Sequence, residues 1–315
     1  MSRILFLLVP GVHLLDLAGP AQVFSTAADL GLGHTLTYVA ERPVVRTAQG
    51  VSLQAETEWP ELGPDDLLLV PGWRSPSLRA TEDGLGPDSL RRLREHHAAG
   101  GTVASVCAGA DALGRAGLLD GRRCTTHHDL QDELAARYPR ATVVRDVLYT
   151  LDDRVVTSAG IASGIDLALH LVAAEHGPAA AAQIAREMVV YARRNGHEQQ
   201  ESAMLRHRSH LDDTVHRAQD VIDARYDSRL PLGDLAASVG VSERTLTRVF
   251  TRATGLTPLR YQQTLRLERA EHLITHGSTV EHAARTVGFE DPRMLRRLRA
   301  RPSVPTAWAV RPSHP

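Results

Sequence analysis

Residues 3–9 (RILFLLV) form an unbroken apolar run, the pattern of a strand buried on both faces. Helix signals follow: Asp16 before Leu17, then Pro20 opening AQVFSTAADLG. Residues 34–40 (HTLTYVA) predict a second strand, and 44–53 a hairpin. Residues 66–70 (DLLLV) predict another buried strand, ending in Pro71-Gly72-Trp73. A helix over 89–99 stops at Gly100-Gly101, and 102–106 (TVASV) predicts a further central strand. A hairpin over 143–156, turning at Leu151-Asp152-Asp153, precedes helices over 162–176 and 178–194. This alternation predicts a doubly wound, mostly parallel α/β sheet, whose ligand sites lie beyond the carboxyl ends of its strands.

The pattern changes after residue 194. Residues 195–210 (NGHEQQESAMLRHRSH) are polar and unpatterned, as a linker would be, and 211–226 predict an amphipathic helix. A helix-turn-helix pattern then occurs twice, as LAASVGVSERTLTRVF (235–250) and HAARTVGFEDPRMLRRL (282–298). Ala236 and Gly240 recur 48 positions later as Ala284 and Gly288. Small residues there let two helices cross closely, and the glycine takes a turn conformation that a Cβ would resist. An apolar plug follows each glycine, Val241 or Phe289, and then an N-cap residue, Ser242 or Asp291, the latter backed by Pro292. Each second helix has a core residue, Leu246 or Leu295, and an arginine-rich outer face. Between the copies, 258–275 predicts one helix with Leu259, Leu265, Ala270, Leu273 and Ile274 as its apolar positions. Its length of about 27 Å is close to the roughly 34 Å between successive major grooves on one face of DNA.

A chain of 315 residues accommodates two domains. It has no run of eighteen apolar residues and goes straight into a strand, so neither a membrane span nor a signal peptide is expected. Cys107 and Cys124 are its only cysteines, which argues against a disulfide-stapled secreted protein and for a cytoplasmic one. The net charge is −1, but residues 229–301 hold thirteen Arg against seven acidic residues. There is no Lys and a single Asn, the usage of a GC-rich bacterial genome. Any phosphate contact must therefore come from guanidinium, backbone amide or hydroxyl groups.

Cys107 stands at the end of a predicted central strand. In SVCAGADALG (105–114) small Ala108 and Gly109 permit the sharp turn of a nucleophile elbow, and the following helix N-terminus is expected to lower the thiol's pKa. His127, in CTTHHDL, follows a short predicted strand, and Asp16 follows the first strand. The three gather at one sheet edge as nucleophile, base and proton-handling group. Two plainer alternatives stand beside this: a buried, space-filling cysteine, and Asp16 as a helix cap. His128 is expected to point away from His127 into solvent. Cys107, Cys124 and the histidines lack any recognised zinc spacing, so no metal or cofactor is expected.

VPGVHLLDLAGPAQVF (9–24), VPGW (70–73), SVCAGADALGRAGLLDGRRCTTHHDL (105–130) and VVTSAGIASGIDLALHLV (155–172) resemble the PfpI branch of the class I glutamine amidotransferase-like superfamily. That resemblance covers residues 3–194 and implies a flavodoxin-like, amidotransferase-like sheet. It places Asp16, Cys107 and His127 at the matching catalytic positions, with an oxyanion or ligand pocket at the backbone amides of Gly72 and Ala108. LLDLAGP, with Asp16, also resembles the isonitrile hydratases of this branch. Residues 211–308, including GLTPLRYQQTLRLERAEHLI (255–274), resemble the AraC family of transcription regulators. The order of the two parts resembles its GlxA-type subgroup.

The resemblance implies a PfpI-like sensor or dimerisation domain over 1–194, a linker over 195–210 and an all-α DNA-binding domain with two helix-turn-helix units over 211–315. It implies a sequence-specific regulator that binds double-stranded DNA, senses an unidentified small molecule, forms a homodimer through its first domain, and meets RNA polymerase. DNA-facing positions implied by the match are Arg244, Thr247 and Arg248 in the first copy, and Arg293, Arg296 and Arg297 in the second. The second copy departs from the family: Arg299 stands where an aromatic core residue belongs, RARPSVPTAW is short before Pro305 and Trp308, and Leu298 is left to plug the core. A cysteine-dependent hydratase or hydrolase with an accessory DNA-binding domain is the rival class. Within the regulator reading, the same pocket serves as a catalytically idle binding site.

Overall fold

A computed structural model describes residues 2–74, 78, 85–190, 194–198, 200, 206–208, 210–275 and 277–300. The chain divides into two compact units, Met1–Gln200 and Glu201–Pro315.

In the first unit, six strands make one sheet: β1 (Ser2–Leu7), β2 (His34–Val39), β5 (Leu67–Val70), β6 (Thr102–Val106), β9 (Tyr149–Asp152) and β10 (Val155–Ser158). Their order is β2-β1-β5-β6-β10-β9, parallel except for the β9–β10 hairpin at one edge. The continuous apolar run of β1 divides by alternation. Ile4 and Phe6 join the core under helices α1 (Leu14–Asp29), α5 (Ser163–His176) and α6 (Pro178–Glu187). Leu5 and Leu7 face the core shared with α2 (Pro87–Ala98) and α3 (Ala110–Arg115). Period-two alternation with both faces covered is why the strand is apolar throughout.

Several boundaries differ from the expectations. Helix α1 starts at Leu14, and Pro20 lies inside it, where it has no N–H to return to the Asp16 carbonyl. The hairpin expected over 143–156 is two features: Thr142–Val143 (β8) pairs in parallel with Arg123–Cys124 (β7) as a separate ribbon, and only β9 and β10 form the hairpin. Strands β3 (Val44–Arg46) and β4 (Ser52–Gln54) make the other ribbon, as expected. Helix α4 (Gln131–Arg137) follows the turn after β7, and α6 ends at Glu187 rather than at 194. Part of the expected linker is held on the first unit. The Leu148 N–H donates to Gly196 O at 2.8 Å, and Gln200 Nε2 donates to the carbonyls of Thr126 and Val147.

The second unit is all helical: α7 (Asp213–Ala224), α8 (Leu232–Ser238), α9 (Glu243–Thr254), α10 (Pro258–Thr275), α11 (Val280–Thr286) and α12 (Pro292–Arg299). Ser242 Oγ accepts from Thr245 N–H and Asp291 Oδ1 from Arg293 N–H, so both expected caps are in place. Gly288 sits at φ +82°, and a Cβ there would come within 1.7 Å of Asp227 O, so the second turn admits no side chain. Leu246 and Phe250 pack with Tyr261 and Leu265 in one cluster, and Leu295 and Leu298 with Phe289 and Ala270 in the next. Leu298 thus plugs the second core, while Arg299 pairs with Glu271 at 2.8 Å. Leu259, expected in the core of α10, is 64% exposed, and Tyr261 takes its place. Pro305 and Trp308 lie outside the described residues.

Candidate functional site

Strand β6 ends at Val106, and Cys107 adopts φ +56°, a strained left-handed conformation for a residue with a Cβ. A 3-10 turn over Cys107–Gly109 carries the chain into α3. Two glycines flank the thiol. A Cβ on Gly160 would lie 2.3 Å from Cys107 Cβ, and one on Gly72 would lie 2.6 Å from it and 2.3 Å from Asp16 Oδ2. Gly72 is fixed by its neighbours: its carbonyl accepts from His13 N–H at 2.9 Å, and Trp73 bridges to Val12. Asp16, in the first turn of α1, thereby reaches the elbow. The cap position of α1 belongs to His13, so the alternative of Asp16 as helix cap fails.

Asp16 is fully buried. Its Oδ1 accepts from Ile161 N–H at 3.0 Å, in the loop between β10 and α5. Its Oδ2 has no partner at hydrogen-bonding geometry, though the Cys107 thiol and the Gly72 amide are close enough to favour its charge. Burial wins over those contacts and raises the carboxyl from 3.8 to about 6. The thiol is pushed far above its ordinary range, first by burial and then by the Asp16 charge, with the Ala108 amide working weakly the other way. The expected lowering of the thiol's pKa is therefore corrected: burial and the Asp16 carboxyl push it up instead. A six-residue helix does not offset full burial against a carboxylate. The two amides implied as a pocket are both beside this pair, Gly72 toward Asp16 and Ala108 toward Cys107.

His127 comes near the elbow through its neighbour, since the Thr126 hydroxyl donates to Cys107 O at 2.7 Å. His127 caps the 3-10 turn His128–Leu130, its Nδ1 accepting from Asp129 N–H at 3.3 Å. The expected divergence of His127 and His128 is also corrected. The turn replaces an extended backbone, and the rings lie 4.2 Å apart. Sequence reasoning missed Ile161, Gly160 and Thr126, which act through backbone position or hydrogen bonds that no local pattern announces.

On the second unit, Arg244 and Arg248 are exposed on α9 beside Thr247, along an open cleft that also takes in Thr251 and Arg252. Those last two were missed, yet both lie four residues beyond a chosen position, one helical turn on the same face. Arg293, Arg296 and Arg297 are exposed on α12. Arg296 is tied to Glu281 of α11, and an Arg297 Nη2 contact reaches Met294 Sδ at 3.2 Å. Among the described residues, Arg244, Arg248 and Arg293 pair with no carboxylate.

Residues 2–174 match the DJ-1/PfpI family. The chain belongs to that family. Residues 235–301 match a helix-turn-helix domain, and this DJ-1/PfpI chain is thus a DNA-binding transcription regulator of the AraC type. It is 30% identical over 297 residues to the HTH-type transcriptional regulator CdhR of Pseudomonas aeruginosa, covering 93% of this chain and 86% of CdhR. It is 36% identical over 174 residues to an isonitrile hydratase of Pseudomonas putida, covering 53% of this chain and 68% of the hydratase. The crystal structure of an AraC family transcriptional regulator from Pseudomonas putida superposes with a TM-score of 0.52 at 26% identity, over 60% of this chain and all of that one. No helix among the described residues is long and apolar enough to cross a membrane.

Proposed function

We propose that this regulator binds specific DNA sequences through α9 and α12 and holds a small polar ligand at the Cys107–Asp16 pair without consuming it. The observation that carries the second half is the enclosure of the pair: Asp16 and Cys107 are both buried, with Gly72 and Gly160 closed around the thiol. Burial and the neighbouring carboxyl push the thiol's pKa up, which works against nucleophilic attack and favours recognition over turnover. Arg244, Thr247 and Arg248 face the first groove, and Arg293, Arg296 and Arg297 the second. The first unit pairs two copies, and the DNA-bound dimer acts on RNA polymerase in the cytoplasm.

A second reading, a cysteine-dependent hydratase or hydrolase, is favoured by the strained elbow at Cys107 and by the likeness to the isonitrile hydratase. In that reading Cys107 adds to the substrate while its thiol proton passes by way of the Asp16 carboxyl to the substrate, and water then displaces the sulfur and returns the thiol, with His127 nearby.

Mapping of bound genomic DNA followed by mobility-shift titration tests the proposal. Affinity should fall steeply with salt, because arginine–phosphate contacts release counterions. Cys107→Ser should retain DNA binding and change its response to small polar ligands. Affinity independent of both salt and sequence would refute the DNA half. Robust Cys107-dependent turnover of an isonitrile would replace the binding pocket by an active site.

A further inference from the structure

A second polar cluster lies at the opposite edge of the same sheet, where the parallel strands begin. Ser2 opens β1, His34 opens β2 in register with it, and Glu175 and His176 close α5. His34 Nε2 and His176 Nε2 are 3.2 Å apart, and His176 Nε2 is 3.5 Å from Glu175 Oε1. The ligand atoms of all three lie within 4.8 Å of one another. A tetrahedral ion with bonds of about 2.0–2.1 Å places its ligand atoms about 3.3–3.4 Å apart, a separation that lies between the two measured edges.

We propose that His34, Glu175 and His176 form a binding site for a zinc-class divalent cation, with a fourth position open to water. Two imidazoles and one carboxylate suit a borderline cation, whereas magnesium and calcium favour all-oxygen shells. Ser2 Oγ lies 2.9 Å from His34 Nδ1; in the tautomer with its proton on Nδ1 the hydroxyl accepts that N–H and the Nε2 lone pair faces the site. The same hydroxyl reaches Glu175 Oε1 at 3.5 Å, orienting a second ligand. His34 is 5% exposed, and its ring packs edge-on against Phe24. Glu175, half exposed, provides the entry path.

A plain hydrogen bond between neutral imidazoles accounts for the 3.2 Å separation alone. It does not account for the carboxylate at a tetrahedral edge, or for a hydroxyl fixing the outer nitrogen of the buried ring. The bound ion would tie the start of β2 to the end of α5, two elements distant in sequence. The site stands where the strands begin, at the other end of the sheet from the Cys107 pocket. The other histidine cluster, His127 with His128 and Asp129, belongs to the elbow already described.

The full chain, stripped with a chelator, is titrated with Co2+ alone. One Co2+ per chain should bind with the strong visible absorption of a four-coordinate ion, and Zn2+ should displace it and raise the melting temperature. His176→Ala should abolish both signals, and Glu175→Gln should weaken binding by about tenfold or more. Ser2→Ala, which removes no ligand, should weaken it by about 10–100-fold. These positions are chosen because His34, deeply buried, is the one whose loss threatens folding. His128→Ala should bind as the parent does. Absence of stoichiometric uptake, uptake unchanged in a folded His176→Ala protein, or uptake lost in His128→Ala would each overturn the assignment.

Discussion

Replacing Asp16 by Asn removes a charge buried against Cys107 while keeping the side chain's size. Because burial raises the carboxyl from 3.8 to about 6, the folded unit holds this proton more tightly than the unfolded chain does. Its favourable contribution is therefore complete below 3.8 and is lost as pH rises through about 6. At neutral pH the ionised side chain costs the fold about 3 kcal/mol, the free-energy equivalent of that gap. Asp16→Asn should stabilise the first unit by up to that amount, and the gain should shrink as pH falls toward 3.8. The thiol should respond as well. The positions around Gly72 put the Asp16 carboxylate within about 5 Å of Cys107 Cβ, and at an effective dielectric near 20 a charge at that range disfavours the thiolate by about 3 kcal/mol. Removing it raises the thiolate fraction about 100-fold, and the lower nucleophilicity of a less basic thiolate leaves alkylation about tenfold faster. Both cysteines lie in the first unit and are buried. A urea series with iodoacetamide pulses therefore reads unfolding from Cys124 and native reactivity from Cys107, separated by peptide mass. Loss of stability at neutral pH, or slower labelling of Cys107, would refute this account of the pair.

Three further outcomes follow from the second unit. Arg248→Ala should cost about 1–3 kcal/mol in DNA affinity and relax specificity at one position, or weaken all sequences equally if its contact is a phosphate; Arg297→Ala poses the same test for the second copy, and mobility shifts over a library of sites read both. Arg266 donates to Tyr226 O, Ser228 O and Gly288 O at 2.5, 2.8 and 2.7 Å, and Gln262 also serves the first two. Arg266→Ala orphans mainly Gly288 O, so urea unfolding should show a loss of about 2 kcal/mol rather than the sum of three charged bonds. Leu298→Ala should cost about 2–4 kcal/mol through the cavity it leaves, whereas Arg299→Ala, which breaks an exposed pair with Glu271, should stay within about 1 kcal/mol; equal effects would contradict Leu298 as the plug.

What could be read in the sequence is what short-range pattern determines. The runs RILFLLV, DLLLV and TVASV are apolar because both sheet faces are covered, and they became β1, β5 and β6. Ser242 and Asp291 cap because the first amides of a helix need acceptors within three residues. Strands β7 and β8 are two residues each and carry no period, so the pattern could not separate them from a longer hairpin. Helix α1 begins at Leu14, ahead of Pro20, although proline suits a helix start, because an internal proline is tolerated where the carbonyl it abandons lies in the first turn.

The candidate site divides along the same line. That Asp16 and Cys107 belong to one site was readable, because motif and topology place both beyond strand ends. Their protonation was not. The helix-dipole argument for a thiolate is local, whereas the opposing terms are desolvation and the Asp16 charge, which exist only once Gly72 and Gly160 close around the thiol. His34 and His176 make the same point more sharply. They are 142 positions apart in the chain and follow no ligand spacing, and they meet because parallel β2 begins where α5 ends. Chemistry carried by contiguous residues is open to sequence reading. Chemistry assembled by chain crossing, and above all the charge state it imposes, is a property of the packed fold.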